Sequence, residues 1–353
     1  MKICYFGDYD PEYNRTRTIL VGLKKLNINV VHCNIKQGNR KRYIHLMRML
    51  YAKRGQYDII VVGMSNSRIM PILAKIVGNK PVVWDALYSL YDNWVYDRKY
   101  VKPHSLKAYR LWIMDWLGAV FSDVVYLDTQ THVQFFSKTF HINEHKFSYV
   151  PVGADTEVFR PLPKTTISKK FEIEFHGKYI PLQGAEFIVR AAKILDGQGV
   201  HFTMIGAGQD ETKAKKLAQE LNINNITFLP FLPQKDIVSY IQNADVCLGL
   251  LGDVPRVVRS IPNKMYEVAA MARVCINVDS MSLHEFFKPG IDSIGVKQGD
   301  PEDLARAIIS LKESGRAEEM GKAAYEVFLR IGTPEKVAQS LIDIIRDKTK
   351  VTF

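Results

Sequence analysis

Between positions 13 and 57 the chain has no aspartate and no glutamate. The same window carries Arg15, Arg17, Lys24, Lys25, Lys36, Arg40, Lys41, Arg42, Arg48, Lys53 and Arg54. With 48 Lys and Arg against 37 Asp and Glu overall, these eleven cations equal the whole net charge of +11, and the remainder is balanced. A one-sided basic segment points to an anionic partner. Cysteine is scarce: Cys4, Cys33, Cys247 and Cys275 sit in apolar runs, and no pair has C-x-x-C spacing. That argues against zinc and dithiol chemistry and for buried thiols in a reducing, cytoplasmic compartment. The N-terminus reads as a strand, not as a secretion signal. The best apolar run, 111–121, is too short to span a bilayer and carries Asp115. No solenoid repeat or low-complexity tract is present. An apolar fraction of 47% with 24% charged residues excludes disordered and collagen-like classes.

What the sequence does have is alternation. KICYFG, INVVHC, DIIVVG, PVVWDA, DVVYLD and FSYVPVG read as nearly continuous apolar strands, separated by helix-period segments at 15–26, 40–54, 68–77, 105–120 and 132–139. Strands buried on both faces with helices between them predict a parallel sheet built from βαβ units. Pro161 and Pro163 then open a polar linker, VFRPLPKTTISKK. The alternation restarts with FEIEFHG, VHFTMIG, ITFLPF, DVCLGLL and VCINVD, and helical segments close the chain. With 353 residues, two cores are expected. The reading is 1–160 as one Rossmann-like domain, 161–333 as a second, and 334–353 as a helix packing back on the first. Ligands in such sheets bind at the C-terminal strand ends, and the cleft between two facing domains is the default site.

Several motifs carry candidate chemistry. Gly206 and Gly208 end the strand HFTMI before a helix, and Gly7 with Asp8 ends the first strand. Either these are tight turns, or they let backbone N–H groups approach a phosphate. The dinucleotide fingerprint is incomplete at both places, which disfavours NAD. Pro262 fits a first helical turn, placing Asn263 and Lys264 at a helix N-terminus with Glu267 one turn on. This is either an ordinary helix start with an ion pair, or a site where cations hold a pyrophosphate and a carboxylate takes a ribose diol. Arg256 and Arg259 just upstream favour the second. Asp85, Asp92, Asp97 and Arg98 are read as decorating the loop after PVVW, where a carboxylate would orient or deprotonate a hydroxyl, or merely cap a turn. Asp128, Thr129 and His132 follow DVVYL, as helix caps or as sugar contacts. The segment 40–54 is either a core helix with a solvated basic face or a surface that docks on anionic lipid. Nucleic acid is not expected, because no binding motif is present.

Four stretches resemble the retaining glycosyltransferases of family 4, the glycosyl transferases group 1. VPVGADTEVFRP at 150–161 resembles the family's interdomain signature. FHGKYIPLQGAEFIVRAAKIL at 175–195 resembles its phosphate loop and following helix. Residues 205–208 resemble its "hhGxG" turn, and LGLLGDVPRVVRSIPNKMYEVAAMARVCINVDS at 248–280 resembles its donor block. The resemblance implies an α/β, GT-B fold of two doubly wound parallel-sheet domains facing a cleft. It implies a nucleoside-diphosphate sugar donor, retention at the anomeric carbon, and no essential metal or cofactor. Carried onto this chain, the donor-binding set is Gly7, Lys178, Gln183, Gly206, Gly208, Arg256, Arg259, Pro262, Asn263, Lys264 and Glu267. Asp85 and His132 are the catalytic candidates. Asp8, Arg15, Arg40, Lys41, Arg42 and Arg48 are the acceptor or membrane face.

Three departures accompany this. The first acid of the family's E-x7-E falls at Arg259, Gln183 replaces a cation of the phosphate loop, and Asp85 stands nearest the place of an N-domain histidine. The reading is a hexosyltransferase acting on a glycan or lipid-linked acceptor at an anionic membrane face, in polysaccharide or glycolipid synthesis. The alternatives are a GT-B sugar-nucleotide epimerase and a non-catalytic nucleotide-sugar binding module. On the glycosyltransferase reading, Glu267→Ala abolishes turnover and leaves thermal stability nearly intact.

Overall fold

The structure is a computed structural model that describes residues 1–353 except Lys36, Gln37, Asn39, Arg40, Ile167, Lys350, Thr352 and Phe353. The candidate Arg40 therefore lies outside the described residues. The chain divides into two compact units, Met1–Gly153 with Thr333–Phe353, and Ala154–Gly332. The division falls ahead of the Pro161 and Pro163 pair that marks the linker in the sequence.

The first unit holds strands β1 (Lys2–Gly7), β2 (Asn29–Asn34), β3 (Ile59–Val62), β4 (Val82–Leu87), β5 (Val124–Leu127) and β6 (Phe147–Tyr149). Its helices are α1 (Asn14–Lys25), α2 (Lys41–Ala52), α3 (Met70–Gly78), α4 (Leu90–Asp92), α5 (Leu106–Phe121) and α6 (Gln130–Phe140). The strands form one parallel sheet in the order β2-β1-β3-β4-β5-β6. Every residue of β3, β4 and β5 is buried. That is why these strands read as continuous apolar runs instead of alternating ones. Cys4, Phe6, Ile60 and Val62 face one apolar layer, with Leu46, Ala74 and Phe136. Ile3, Tyr5, Ile59 and Val61 face the other.

The second unit holds β7 (Phe171–Lys178), β8 (Val200–Ala207), β9 (Ile226–Leu229), β10 (Val246–Leu248), β11 (Cys275–Val278) and β12 (Ile294–Val296). Its helices are α7 (Ala185–Ile194), α8 (Glu211–Glu220), α9 (Gln234–Asn243), α10 (Asn263–Ala270), α11 (Met281–Phe286), α12 (Pro301–Ser314) and α13 (Ala317–Ile331). The parallel order is β12-β11-β10-β7-β8-β9. The order reverses between β7 and β10, and a crevice opens at such a switch point beyond the carboxyl ends of the two strands.

The last helix, α14 (Pro334–Thr349), returns to the first unit. Val337, Leu341 and Ile345 join Ile19 and Leu23 of α1 in one core. The approach is close enough that a Cβ on Gly22 would overlap the backbone carbonyl of Pro334. Among the described residues no helix is long and apolar enough to cross a membrane.

Candidate active site

Strand β7 carries Glu172, Glu174 and His176 at alternate positions, so they share one face of the sheet. Ile173 and Phe175 point the other way, into the apolar core. Nδ1 of His176 lies 2.9 Å from Glu174 Oε1, and Nε2 lies 2.9 Å from Glu267 Oε2 on α10. All three side chains are buried. Burial disfavours the charged ring, but the charges and hydrogen bonds of Glu174 and Glu267 outweigh it and raise the His176 pKa to about 9. The group is an imidazolium held between two carboxylates.

Lys264 is the second residue of α10, so its stem starts among the free N–H groups of that helix's N-terminus. The ammonium is buried 3.7 Å from the centre of the Phe175 ring. It has no hydrogen-bond partner among the described residues. Burial lowers its pKa to about 8, with Glu174 and Glu267 among the charges that oppose the shift. Oε1 of Gln183, in the turn Pro181–Gln183, is likewise buried without a partner among the described residues. Both groups border Gly177: a Cβ built there would be 3.5 Å from Lys264 Nζ and 3.5 Å from Gln183 Oε1. A cation and an amide oxygen thus meet at the end of β7, one strand from β10, where the topology places a ligand crevice.

The helix begins at Asn263, and Pro262 stands just outside it as its cap. This corrects the sequence placement of Pro262 inside the first turn. Asn263, Arg256 and Arg259 are half-buried, and Lys178 is exposed at the end of β7. Gly206 and Gly208 have φ of +143° and +157°. A Cβ at Gly206 would overlap the Gly177 carbonyl, and one at Gly208 the Tyr179 backbone. Both glycines are therefore required by the close approach of β8 to the loop after β7.

In the first unit, Asp85 sits inside β4 and not in the loop that the sequence suggested. It is fully buried, and its two oxygens accept from Nε of Arg15 at 3.0 and 2.8 Å. Arg15 also donates to the carbonyls of Val150 (3.0 Å) and Leu127 (3.2 Å). Two expectations are corrected here. Arg15 is no part of a membrane or acceptor face, because it is wholly buried. Asp85 is a core ion-pair carboxylate and not a base open to an acceptor hydroxyl. Arg68 and Asp115 form a second buried pair at 2.9 Å.

Asp8, just past β1, is buried and accepts from Ser67 and, at 3.2 Å, from Arg42. Gly7 is buried at the end of β1. Lys41 and Arg48 are exposed on α2. His132, in the first turn of α6, is fully buried. Its Nδ1 lies 2.7 Å from Asp128 Oδ1, and its Nε2 has no partner among the described residues. Thr129 caps that helix by accepting from the His132 N–H.

The sequence reading missed Glu174 and His176. Their signal was present: FEIEFHG places three ionisable residues at every second position of a strand otherwise built to be buried.

Residues 162–327 match the family model described as glycosyl transferases group 1. No curated protein matches the chain in sequence. Solved structures match it over almost its full length. HepE of Anabaena, solved with UDP and with UDP-glucose, superposes with a TM-score of 0.74 at 13% identity, over 98% of this chain and 100% of that one. Sucrose-phosphate synthase of Thermosynechococcus elongatus gives 0.74 at 14% identity over 98% of each chain. A glycosyltransferase of Rickettsia africae gives 0.71 at 16% identity over 99% of each. At these identities the likeness is one of fold.

Proposed function

We propose, for a chain of GT-B fold whose residues 162–327 match the model of the glycosyl transferases group 1, that it moves a sugar from a nucleoside-diphosphate donor to a hydroxyl acceptor with retention and without a metal. The observation that carries the reading is the buried ammonium of Lys264. It has no hydrogen-bond partner among the described residues, it stands at a helix N-terminus, and Glu267 is one turn away.

The roles follow from that arrangement. Lys264 and the N–H groups of α10 take the donor diphosphate, with Arg256, Arg259 and Lys178 adding charge. When the bond from the anomeric carbon to the diphosphate breaks, negative charge grows on the leaving group. Fixed cations in a water-poor site stabilise it without reorganising, which is the work a metal would otherwise do. Glu267 takes the ribose diol, and the His176 imidazolium orients that carboxylate from behind. Gln183 and Asn263 contribute neutral hydrogen bonds. The acceptor is a glycan or a lipid-linked hydroxyl at a membrane face. HepE, which shares the fold, was solved with UDP and UDP-glucose, so a uridine donor is the first to try.

The test is a thermal-shift panel of UDP-, GDP-, ADP- and dTDP-sugars in the presence of EDTA, followed by NMR of the product's anomeric configuration. Binding only to the folded site raises the midpoint. A shift with one nucleotide that is lost in Lys264→Met supports the reading. No shift with any of them, or an inverted product, overturns it.

A further inference from the structure

Helix α5 exposes large apolar residues at its start. Its buried residues are Ala108, Asp115, Gly118 and Ala119, three of them small and one charged. The inward side is small because it is crowded: a Cβ on Gly118 would stand 2.8 Å from the Trp84 ring. Asp115 is held there by Arg68, by the Ser89 hydroxyl at 2.7 Å and by the Tyr91 N–H at 2.9 Å. Two large apolar side chains in its first turn face outward instead. Leu106 is 90% exposed and Tyr109 63%. Two large apolar residues this exposed, side by side on one helix, form a patch that solvent alone does not favour.

The exposed Tyr109 ring is continued by two half-buried rings that rest on the core of the unit. Tyr109 stacks on Trp112 with planes 4° apart, and Trp112 stacks on Trp116 with planes 10° apart. Spacings of three and four residues set these rings in one stripe down the helix. Tyr100, just before the helix, is 56% exposed, and so is Ile76 of the neighbouring α3, at 66%. Lys99, Lys102, Lys107 and Arg110 are exposed around the stripe. Asp115, the one acid between positions 98 and 122, is the buried one. The exposed surface of this segment therefore carries cations and no anion.

We propose that α5 lies in the surface of an anionic lipid bilayer, with Tyr100, Leu106 and Tyr109 in the headgroup boundary and Lys102, Lys107 and Arg110 on the lipid phosphates. An apolar stripe bounded by cations is the composition that binds such surfaces, and Tyr and Trp rings settle at the water boundary. A helix of 16 residues runs about 24 Å, which is short of a bilayer's apolar thickness, so it lies flat. The partner is a lipid surface and not a second protein, because the exposed charge around the stripe is all positive, the sign that anionic headgroups attract. This surface is on α5 and not on the basic stretch of α2. The inference deepens the membrane part of the proposed function and rests on it, but vesicle binding is read without donor or acceptor.

The experiment is co-sedimentation of the full chain with vesicles of phosphatidylcholine alone and of phosphatidylcholine mixed with phosphatidylglycerol, with tryptophan emission as a second readout. The variants are Leu106→Ser with Tyr109→Ser, and Lys107→Glu with Arg110→Glu. The chain is expected to bind the anionic vesicles, with a blue-shifted emission, and to be released by salt. Each double variant is expected to lower the partition coefficient about tenfold or more while keeping its thermal midpoint and its nucleotide-induced shift. Three results overturn the proposal: no binding to anionic vesicles, binding unchanged in both variants, or a dimer of the parent chain that either variant converts to a monomer. Loss of the nucleotide shift in the parent chain with vesicle binding intact would sink the donor reading alone.

Discussion

Nε2 of His176 lies 2.9 Å from Oε2 of Glu267, across 91 positions of sequence. Glu174 holds the other ring nitrogen. A cation clamped this way is worth most when it is charged, so stability depends on pH. The folded pKa of about 9 is above the ordinary 6.5, so the contribution is complete below about pH 6.5 and is lost as pH rises through about 9. Lys264 runs the other way: its folded pKa is depressed to about 8 from 10.5, so its burial cost is relieved as pH rises through that range. Comparing the parent chain with His176→Gln isolates the histidine. The stability gap, on the order of 3 kcal/mol by conversion of the shift, should close between pH 6.5 and 10 in urea titrations. A gap independent of pH would show that the ring is not charged.

Glu267→Ala removes one of the two anions that hold that ring. The expectation of nearly intact stability, drawn from sequence, is therefore replaced. The variant should lose about 2–3 kcal/mol, because a buried cation is left with one partner fewer. Its turnover should fall about 100-fold or more. Glu267→Gln keeps a hydrogen-bond acceptor and should lose turnover with a smaller loss of stability. The NMR titration of His176 should move below 9 in both. An unmoved titration would show that Glu267 is not the charge partner.

Binding a diphosphate next to Lys264 should return its proton. At pH 8 the buried amine is about half charged. An anion favours the charged form, so nucleotide binding should take up a fraction of a proton. Calorimetry in buffers of different ionisation enthalpy measures this uptake. It should shrink at pH 6, where the amine is already charged, and vanish in Lys264→Met. Uptake that does not depend on pH would place the diphosphate elsewhere.

Arg15 and Asp85 are both fully buried and paired at 2.8 Å. Cutting either one alone leaves an uncompensated charge in the core and should cost about 3–5 kcal/mol. Replacing both with apolar residues of similar volume, Arg15→Met with Asp85→Leu, should recover most of that loss. The readout is the urea midpoint of the first unit. Single variants at parental stability would mean that water reaches the pair.

How far the sequence carried these conclusions depends on how local each signal was. The parallel sheets were readable because β3, β4 and β5 are buried on both faces and so spell continuous apolar runs. The place of Lys264 and Glu267 at a helix start was readable because a helix start and its first turns are contiguous in the chain. Arg15 was not, because a cation in a basic stretch looks the same whether it faces solvent or a carboxylate 70 positions away. Asp85 was misplaced for a related reason: an aspartate after VVW looks like a turn until its partner is known. Helix α5 was found, but its direction was not. A segment apolar on nearly every side gives no sign of which face is inward, and the tight fit of Gly118 against Trp84 decides it.

The packing of α14 on α1 has a consequence for how the molecule is made. The first unit is assembled from both ends of the described chain, with 154–332 between them. On the ribosome, the apolar face of α1 at Ile19 and Leu23 waits uncovered while the whole second unit emerges and folds as a unit of its own. The unit that is translated first is thus finished last, and until α14 arrives its α1 face is a natural client surface for a chaperone.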